Sequence, residues 1–226
     1  NTDILGKHII GYVSRSDKEE LKYIIQYNNE VLRESAENFY RVEGNQLYKE
    51  DGKKFYRLDD AYKFIYNGKA CTNYSSDKII PNSGYITLID NNGDGRYDVV
   101  MTESYSFMNI TTVNQFDNIL YGESENGSAQ IEFIGDDIRG TFEADTESGI
   151  VPVNYYEIKS GDMIAYAVSD DKTRVKIIRL DRTVGGAVQS VQKKDDSFIT
   201  IDGTEYKTTV YFDKKFPQML AKDGKF

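Results

Sequence analysis

The chain has 226 residues, and 37 Asp or Glu against 28 Lys or Arg give it a formal net charge of −9 at pH 7. This negative charge repels nucleic-acid phosphates and anionic lipid headgroups, so we expect no nucleic-acid partner. The 18 Tyr and 11 Phe supply the large side chains that a buried core needs, which argues against a disordered chain. No apolar run approaches the roughly 20 residues that cross a bilayer, so the sequence predicts no membrane insertion of this segment.

Cys71 is the single cysteine, so the chain forms no internal disulfide and does not belong to the disulfide-stapled class of small secreted domains. The length suits two ordinary domains, each with a core of its own. Because the chain begins at Asn1 rather than Met and ends abruptly at Phe226, we expect it to be an excerpt of a longer polypeptide.

Apolar residues recur with a period of two in short runs that Gly, Asn and Asp interrupt, which predicts strands. In the first half of the chain the predicted strands are His8–Ser14, Leu21–Tyr27, Gln46–Lys49, Lys53–Leu58, Tyr62–Tyr66, Tyr85–Ile89, Tyr97–Glu103 and Phe107–Thr112. Asp51-Gly52 predicts a hairpin turn, because glycine adopts positive φ without strain. Glu, Arg and Ala within Val31–Tyr40 favour helix, so a short helix and a strand remain alternatives there.

The second half continues the same pattern. Its predicted strands are Ala129–Ile134, Val151–Tyr155, Met163–Val168, Arg174–Leu180, Gly186–Val191, Ser197–Ile201 and Glu205–Phe212. Asp202-Gly203 predicts another tight hairpin, and Lys159–Asp162 predicts a turn into the strand that begins at Met163. Asp94-Gly95 repeats the Asp-Gly dipeptide, but hairpin chemistry explains every copy, so we predict no internal duplication.

Domain boundaries are marked by pattern alone, because no Pro- or Ser-rich stretch forms a flexible linker. The Gly, Glu, Ser and Asn cluster at Gly122–Gly127 follows the Asp-rich hairpin region and places a boundary near Thr112. We therefore predict an all-β protein of two β-rich lobes. Residues 1–112 form an N-terminal domain that contains the Asp-rich hairpin, and residues 113–226 form a small, truncated barrel or sandwich.

The Asp-rich hairpin has the oxygen-ligand spacing of a calcium-binding loop. The predicted metal ligands are Asp90, Asn92, Asp94, Arg96 through its carbonyl oxygen, and Asp98. Gly95 permits the sharp turn, but Met101 stands where the final bidentate Glu of a helix-loop-helix site belongs. A calcium ion here would stabilise the fold rather than catalyse a reaction. The alternative is an Asx turn whose side chains satisfy their own backbone.

Catalytic constellations are weak, and we predict no enzyme and no catalytic residue. Neither a GxSxG elbow nor a recognisable nucleophile context accompanies His8, the single histidine, and Cys71. One His and one Cys also fall short of four zinc ligands. A glycoside hydrolase needs two carboxylates beside a cleft, whereas the acidic pairs of this chain sit mostly at predicted turns. The pairs are Asp59-Asp60, Asp136-Asp137, Asp170-Asp171 and Asp195-Asp196.

Tyrosines concentrate in the first half of the chain, at Tyr12, Tyr23, Tyr27, Tyr62 and Tyr66. Exposed Tyr rings on a sheet stack sugar rings, so a glycan-binding face is one interpretation. The other, which we favour, is that these rings fill the core and pack as cross-strand pairs.

Several stretches together resemble segments of large surface proteins of Clostridium-like Firmicutes that carry S-layer homology repeats. The run FIYNGKA is followed after a short loop by PNSGYITLIDNNGDGRYDVV, and then YYEIKSGDMIAYAVSDD, RTVGGAVQSV and ITIDGTEYK come in the order of that family. The segments are Phe64–Ala70, Pro81–Val100, Tyr155–Asp171, Arg182–Val191 and Ile199–Lys207. No single segment is specific, whereas the combination is.

This resemblance implies a non-catalytic structural or display module of an S-layer-associated bacterial surface protein, held in the cell wall by repeats located elsewhere. It implies an extracellular location in the cell wall or S-layer, with other cell-envelope proteins or cell-wall glycans as partners. It carries over no catalytic residue. The alternatives are a glycan-binding β module that uses exposed tyrosines and, ranked below it, a carboxylate-dependent glycoside hydrolase.

Overall fold

The computed structural model describes residues 4–14, 20–26, 29–133, 139–192 and 197–215. Most elements in these ranges are strands, so the predicted all-β class is confirmed. The chain divides into two compact units, one of Asn1–Ser104 with Ser169–Asp171 and the other of Tyr105–Val168 with Lys172–Phe226. The predicted boundary at Thr112 lies inside a strand of the second unit.

The described residues of the first unit form nine strands. They are β1 Ile9–Ser14, β2 Glu20–Gln26, β3 Glu30–Ser35, β4 Phe39–Glu43, β5 Gln46–Lys49, β6 Phe55–Tyr66, β7 Lys69–Ala70, β8 Gly84–Asp90 and β9 Tyr97–Ser104. β1 and β2 form an antiparallel ribbon, and the others form a sheet in the order β3-β8-β9-β6-β5-β4, with β7 paired to β6. β6 runs parallel to β9 and shifts register between Leu58 and Lys63. Its first residues pair with β5 and its last residues with β9.

The described residues of the second unit form ten strands. They are β10 Ser106–Asn114, β11 Ile119–Ser124, β12 Gly127–Glu132, β13 Arg139–Thr146, β14 Gly149–Pro152, β15 Met163–Val168, β16 Arg174–Leu180, β17 Val188–Gln192, β18 Phe198–Ile201 and β19 Thr204–Lys207. A seven-stranded sheet has the order β12-β11-β10-β15-β16-β13-β14, and β17-β18-β19 form a second sheet. β13 and β16 run parallel, and the other pairs are antiparallel.

Five strands of each unit share one topology. The order β3-β8-β9-β6-β7 in the first corresponds to β10-β15-β16-β13-β14 in the second, and each contains one parallel pair at the same place. In chain order, the antiparallel hairpin β4-β5 lies between β3 and β6, and β11-β12 lies between β10 and β13. The first hairpin pairs with β6, whereas the second pairs with β10. A 3₁₀ turn ends at buried Ile79 before β8 and at buried Ile158 before β15. This shared order argues against the prediction of no internal duplication.

Matching side chains fill the two cores, in rows that cross three neighbouring strands. The rows are Leu88, Val100 and Phe64 in the first unit and Tyr166, Ile177 and Phe142 in the second. The carbonyl oxygen of Phe64 accepts a hydrogen bond from the Cys71 amide (2.9 Å), and that of Phe142 accepts one from the Val153 amide (3.0 Å). Each unit thus buries its own hydrophobic cluster, at about 1.5–3 kcal/mol for each fully buried large side chain.

The tight turn at Asp202-Gly203 is confirmed. Ile201 pairs with Thr204, and the two residues between them both have positive φ, 46° and 81°, as a two-residue hairpin of the twisted type requires. At Asp51-Gly52 the loop is longer. The Lys49 amide donates to the Lys54 carbonyl at 2.8 Å, and Gly52 alone of the dipeptide has positive φ.

The ambiguous segment Val31–Tyr40 is mostly strand, because β3 and β4 are separated by a single 3₁₀ turn at Ala36–Asn38. The Gly122–Gly127 cluster, which suggested a break between domains, forms the end of β11, the turn and the start of β12. Its small and polar residues serve a hairpin rather than a linker.

Two predicted strands end earlier than expected. Predicted strand Val151–Tyr155 stops at Pro152, because the Asn154 side chain caps the 3₁₀ turn Tyr155–Glu157. Predicted strand Glu205–Phe212 stops at Lys207, and residues 210–215 are helical. The predicted last residues of two others, Tyr27 and Ile134, lie outside the described residues.

Candidate calcium site at the Asp90 hairpin

Asp90 ends β8 and is 2% exposed, so its carboxylate lies inside the β8–β9 hairpin rather than in solvent. One oxygen, Oδ1, accepts hydrogen bonds from the amides of Asn92 (3.1 Å) and Gly93 (2.6 Å). The other, Oδ2, accepts one from the Gly95 amide at 2.9 Å. A single buried carboxylate therefore fixes most of the turn.

Two opposing effects set the pKa of Asp90. Burial would raise it, but hydrogen bonds from the backbone amides of the loop outweigh burial and hold the pKa below its ordinary value of 3.8. Asp90 is consequently ionised at neutral pH. The same charge acts on Tyr97, whose pKa is raised first by burial and then by nearby negative groups that include Glu30 and Asp90.

Asn92, Asp94 and Arg96 form the exposed rim of the loop. Asn92 Oδ1 accepts a hydrogen bond from the Asp94 amide at 2.9 Å, and Asp94 Oδ1 accepts one from the Arg96 amide at 2.8 Å. Successive Asx turns thus wind the loop, as the alternative interpretation of the motif predicts.

Asn91 connects this hairpin to the chain before β1, and the ligand pattern did not single it out. Its amide donates to Asp98 Oδ2 at 2.7 Å, which places the fifth predicted ligand at the base of the loop. Its side chain donates to the Gly6 carbonyl at 3.0 Å and accepts from the His8 amide at 2.8 Å. The only sequence signal for a role of Asn91 was its place among adjacent polar residues in the loop after β8.

The donor set suits calcium, because carboxylate, amide and carbonyl oxygens are the ligands that this ion prefers. In the described ranges, however, no group of three or more His, Cys, Asp or Glu side chains is placed to hold a metal ion. Each of the four predicted side-chain ligands accepts a backbone N–H instead. Calcium binding at Asp90, Asn92, Asp94, Arg96 and Asp98 stays a prediction.

The residues considered for catalysis are engaged elsewhere. The backbone of exposed His8 contacts Asn91, and Cys71 is half-buried. Asp59 accepts from the Ala61 amide at 2.8 Å, and Asp60 accepts from the Asn45 side chain. Asp170 forms an ion pair with Lys78, and Asp171 with Lys69. The pairs Asp136-Asp137 and Asp195-Asp196 lie outside the described residues.

The tyrosines named for a glycan face behave in two ways. Tyr62 and Tyr66 pack against the first core, and burial with a hydrogen bond to Tyr74 raises the pKa of the Tyr62 phenol far above its ordinary range. Tyr12 and Tyr23 are exposed and face each other across the β1–β2 ribbon, with ring centroids 6.2 Å apart. Tyr27 lies outside the described residues.

An aromatic depression in the second unit was not foreseen. Its lining residues are Asn118, Phe133, Gly140, Phe142, Tyr155 and Tyr156, around a volume of about 280 Å³. Phe133, Phe142 and Tyr155 have ring centroids 5.4–5.5 Å apart. A capping box fixes the two tyrosines, since Asn154 accepts from the Tyr156 amide and donates to Glu157. The residues come from β13, the 3₁₀ turn and the ends of two other segments, so local spacing carries no signal for them.

Comparison of the chain with protein-family profiles, with curated proteins and with solved structures found no match. Within the described residues, no helix is both long enough and apolar enough to span a bilayer.

Proposed function

We propose that the chain is a non-catalytic structural module of a bacterial cell-surface protein, built from successive copies of one β repeat that space or display other parts of the envelope. The repeated topology carries this proposal. Each unit has its own core and its own hairpins, so copies add length without requiring a new fold.

The use of polar groups supports a structural role. Asp90, Asp94 and Asp98 hold turn amides, and Glu34 accepts hydrogen bonds from the side chains of Lys49, Tyr56 and Asn38. The surface location, in the cell wall or S-layer, rests on the resemblance of segments such as Pro81–Val100 to S-layer-associated proteins. Envelope proteins and cell-wall glycans are the partners that this location supplies.

Surface exposure on intact cells tests the location. Antibodies against the purified chain should label unbroken cells of the encoding bacterium, and external protease should remove the label while a cytosolic marker protein survives. Labelling that requires lysis would contradict the proposal. Release of reducing sugar from cell-wall glycans by the purified chain, lost on Asp59→Asn or Asp60→Asn, would instead favour the hydrolase.

Calcium belongs to this proposal as a stabiliser of the Asp90 hairpin. Asp90, Asp94 and Asp98 lie at the end of β8, in the loop and in β9, and a divalent cation near them would relieve their mutual repulsion. The loop joins β8 and β9, two interior strands of the first sheet, so added stability there strengthens the whole unit.

Binding of an uncharged glycan is a second candidate, which the aromatic depression favours. Tyr156 is 63% exposed beside Tyr155, and the lining side chains carry no charge. Titration calorimetry with chitotriose tests it. Tyr156→Ala should weaken binding about ten-fold, because a stacked ring is lost, whereas Tyr40→Ala, at a similarly exposed ring, should not. No heat of binding at millimolar sugar would remove this candidate.

A further inference from the structure

The β1–β2 ribbon exposes an apolar face. Ile10 pairs with Ile25 and Tyr12 pairs with Tyr23, so the four side chains share one face, and Tyr12 and Tyr23 are 53% and 64% exposed. In the described part of the chain, β1 and β2 pair only with each other. An isolated two-stranded ribbon is marginally stable in water, and such a patch marks an interaction surface.

This ribbon corresponds to the central hairpin of each unit. β1–β2 is followed by β3 just as β8–β9 is followed by β10, and both hairpins are antiparallel. β2, β9 and β16 begin at equal intervals along the chain, at Glu20, Tyr97 and Arg174. The tripeptide at Ile10 to Tyr12, Ile-Gly-Tyr, also matches Ile-Ala-Tyr at Ile164 to Tyr166.

The correspondence identifies the exposed face as a core face. The pair Tyr12 and Tyr23 takes the place of Leu88 and Val100, which are both fully buried in the first unit. There, β3 pairs with the outer edge of β8 and β6 with the outer edge of β9. The ribbon therefore has the inward face and both edges of a repeat, and no strand in the described ranges pairs with those edges.

The sheet β17-β18-β19 is the complementary part of the same repeat, because it matches β10-β11-β12. Both begin with a strand whose register shifts by one residue, after Ile110 in β10 and after Val188 in β17. Leu120 on β11 and Ile199 on β18 then hold corresponding buried positions. Val188, by contrast, is half exposed where Ile110 is buried.

Residues 184–187 correspond to residues 106–109 of β10, which pair with β15. In the described structure residues 184–187 form no strand, and Val184 is exposed. The ribbon presents an edge equivalent to that of β15. Within the described ranges, the ribbon and this sheet are thus two partial repeats of one type, each offering what the other lacks.

We propose that the β1–β2 ribbon of one copy of this chain docks the β17–β19 sheet of a second copy, head to tail. Residues 184–187 of the second copy pair with β1, which sets Val184 opposite Tyr12 as Ser106 is opposite Tyr166. The contact joins unlike surfaces, so it builds open chains of copies rather than closed dimers. It goes beyond the structural role and does not depend on the cellular location.

Sedimentation velocity over a range of concentrations tests the association. The average mass should rise with concentration above the 25.8 kDa of one chain. Tyr12→Lys should weaken the association about ten-fold or more, because it places a charge in the apolar contact. Tyr40→Lys, at an exposed ring outside the ribbon, is the matched control and should have no effect. A wild-type chain that stays monomeric, or a Tyr12→Lys chain that associates like wild type, overturns the proposal.

Cysteine pairing tests the register in a Cys71→Ser background. Oxidation of a mixture of Tyr12→Cys and Val184→Cys chains should give a disulfide-linked heterodimer, since directly opposite residues lie within reach of a disulfide. Val13→Cys replaces Tyr12→Cys in the control, because its neighbouring position faces the other side of the ribbon. Equal cross-linking through Val13 and Tyr12, or none through Tyr12, overturns the proposed register.

Discussion

Phe64 and Phe142 occupy the same place in the two units, each on the strand that runs parallel to the last strand of its sheet. Phe64 lies beside Val100, and Phe142 lies beside Ile177. Another aromatic ring packs against each Phe. Tyr74, just before the first 3₁₀ turn, has its ring centroid 4.3 Å from that of Phe64. Tyr155, within the second 3₁₀ turn, has its ring centroid 5.5 Å from that of Phe142. The two units therefore share packing as well as strand order.

Asp90→Asn should destabilise the first unit by about 1.5–3 kcal/mol, measured by urea unfolding. Asparagine retains one acceptor oxygen, so either Gly95 or the Asn92 and Gly93 amides would face an NH₂ group in a buried site. Asp94→Asn is the control. Asp94 is exposed, and its carboxylate accepts a hydrogen bond from the Arg96 amide at the rim of the loop, so a loss as large as that of Asp90→Asn would contradict this account.

Acid should remove the same contribution. The folded-state pKa of Asp90 is lowered, so its stabilisation is complete above the unfolded-state value near 3.8 and is lost as the pH falls through the lower folded value. Wild type and Asp90→Asn should thus converge in stability at low pH. A constant difference between them from pH 7 to pH 2 would show that charge is not the cause.

Calcium should raise the melting temperature of the chain, because binding to the folded Asp90 loop stabilises it by mass action. Asp94→Ala should abolish the rise, since the loop loses a central ligand while β8 and β9 keep their pairing. Magnesium, which demands a stricter octahedral geometry, should give a smaller rise. An unchanged melting temperature in millimolar calcium would leave the loop as a series of Asx turns.

Glu34 and Lys49 should be coupled more strongly than a surface ion pair. Burial opposes the charge of Glu34, but hydrogen bonds from Lys49, Tyr56 and Asn38 hold its pKa below the ordinary value. A double-mutant cycle to alanine should give about 1–2 kcal/mol of coupling. The control pair, Lys22 and Glu20, has side chains more than half exposed and should give about 0–1 kcal/mol. Equal couplings would contradict the role assigned to burial.

Gly122→Ala should destabilise the second unit by about 1–3 kcal/mol or more, because a Cβ atom there would lie 2.3 Å from the Asn109 carbonyl oxygen and 2.5 Å from Met108 Cγ. Backbone is among the atoms that would have to move. Gly185→Ala is the matched control, since its Cβ would meet no atom within 4 Å. Thermal melts of both variants decide whether close packing of β10 on β11 limits this position.

The sequence predicted the structural features that depend on residues close together in the chain. Alternation of apolar residues identified most strands, and Asp202-Gly203 identified a turn, because both signals act over a few residues. Pairing of β6 with β9 joins residues far apart in the chain, so no local pattern indicated it. The repeat escaped notice for a related reason. Phe64 and Phe142 match, but Leu88 corresponds to Tyr166, and a core position accepts either side chain when its neighbours adjust.

At the Asp90 hairpin, too, the sequence predicted the local features and missed the long-range contacts. The spacing of Asp90, Asn92 and Asp94 predicted a wound loop, and the loop is wound by those side chains. Sequence spacing did not show that their oxygens serve backbone amides, nor that Asn91 fixes the segment at Gly6. These contacts depend on where the chain before β1 lies, which no periodicity within the hairpin specifies.

The parallel relation between β3 and β9 governs how the first sheet bears tension. β3 and β9 both pair antiparallel with β8, so they point the same way, and Glu30 at the start of β3 lies opposite Asp90 while Ser104 at the end of β9 lies opposite Gly84. A pull on the start of β3 and the end of β9 then acts along the strands at opposite ends of β8. The hydrogen bonds between β3, β8 and β9 are therefore loaded together in shear instead of breaking one after another.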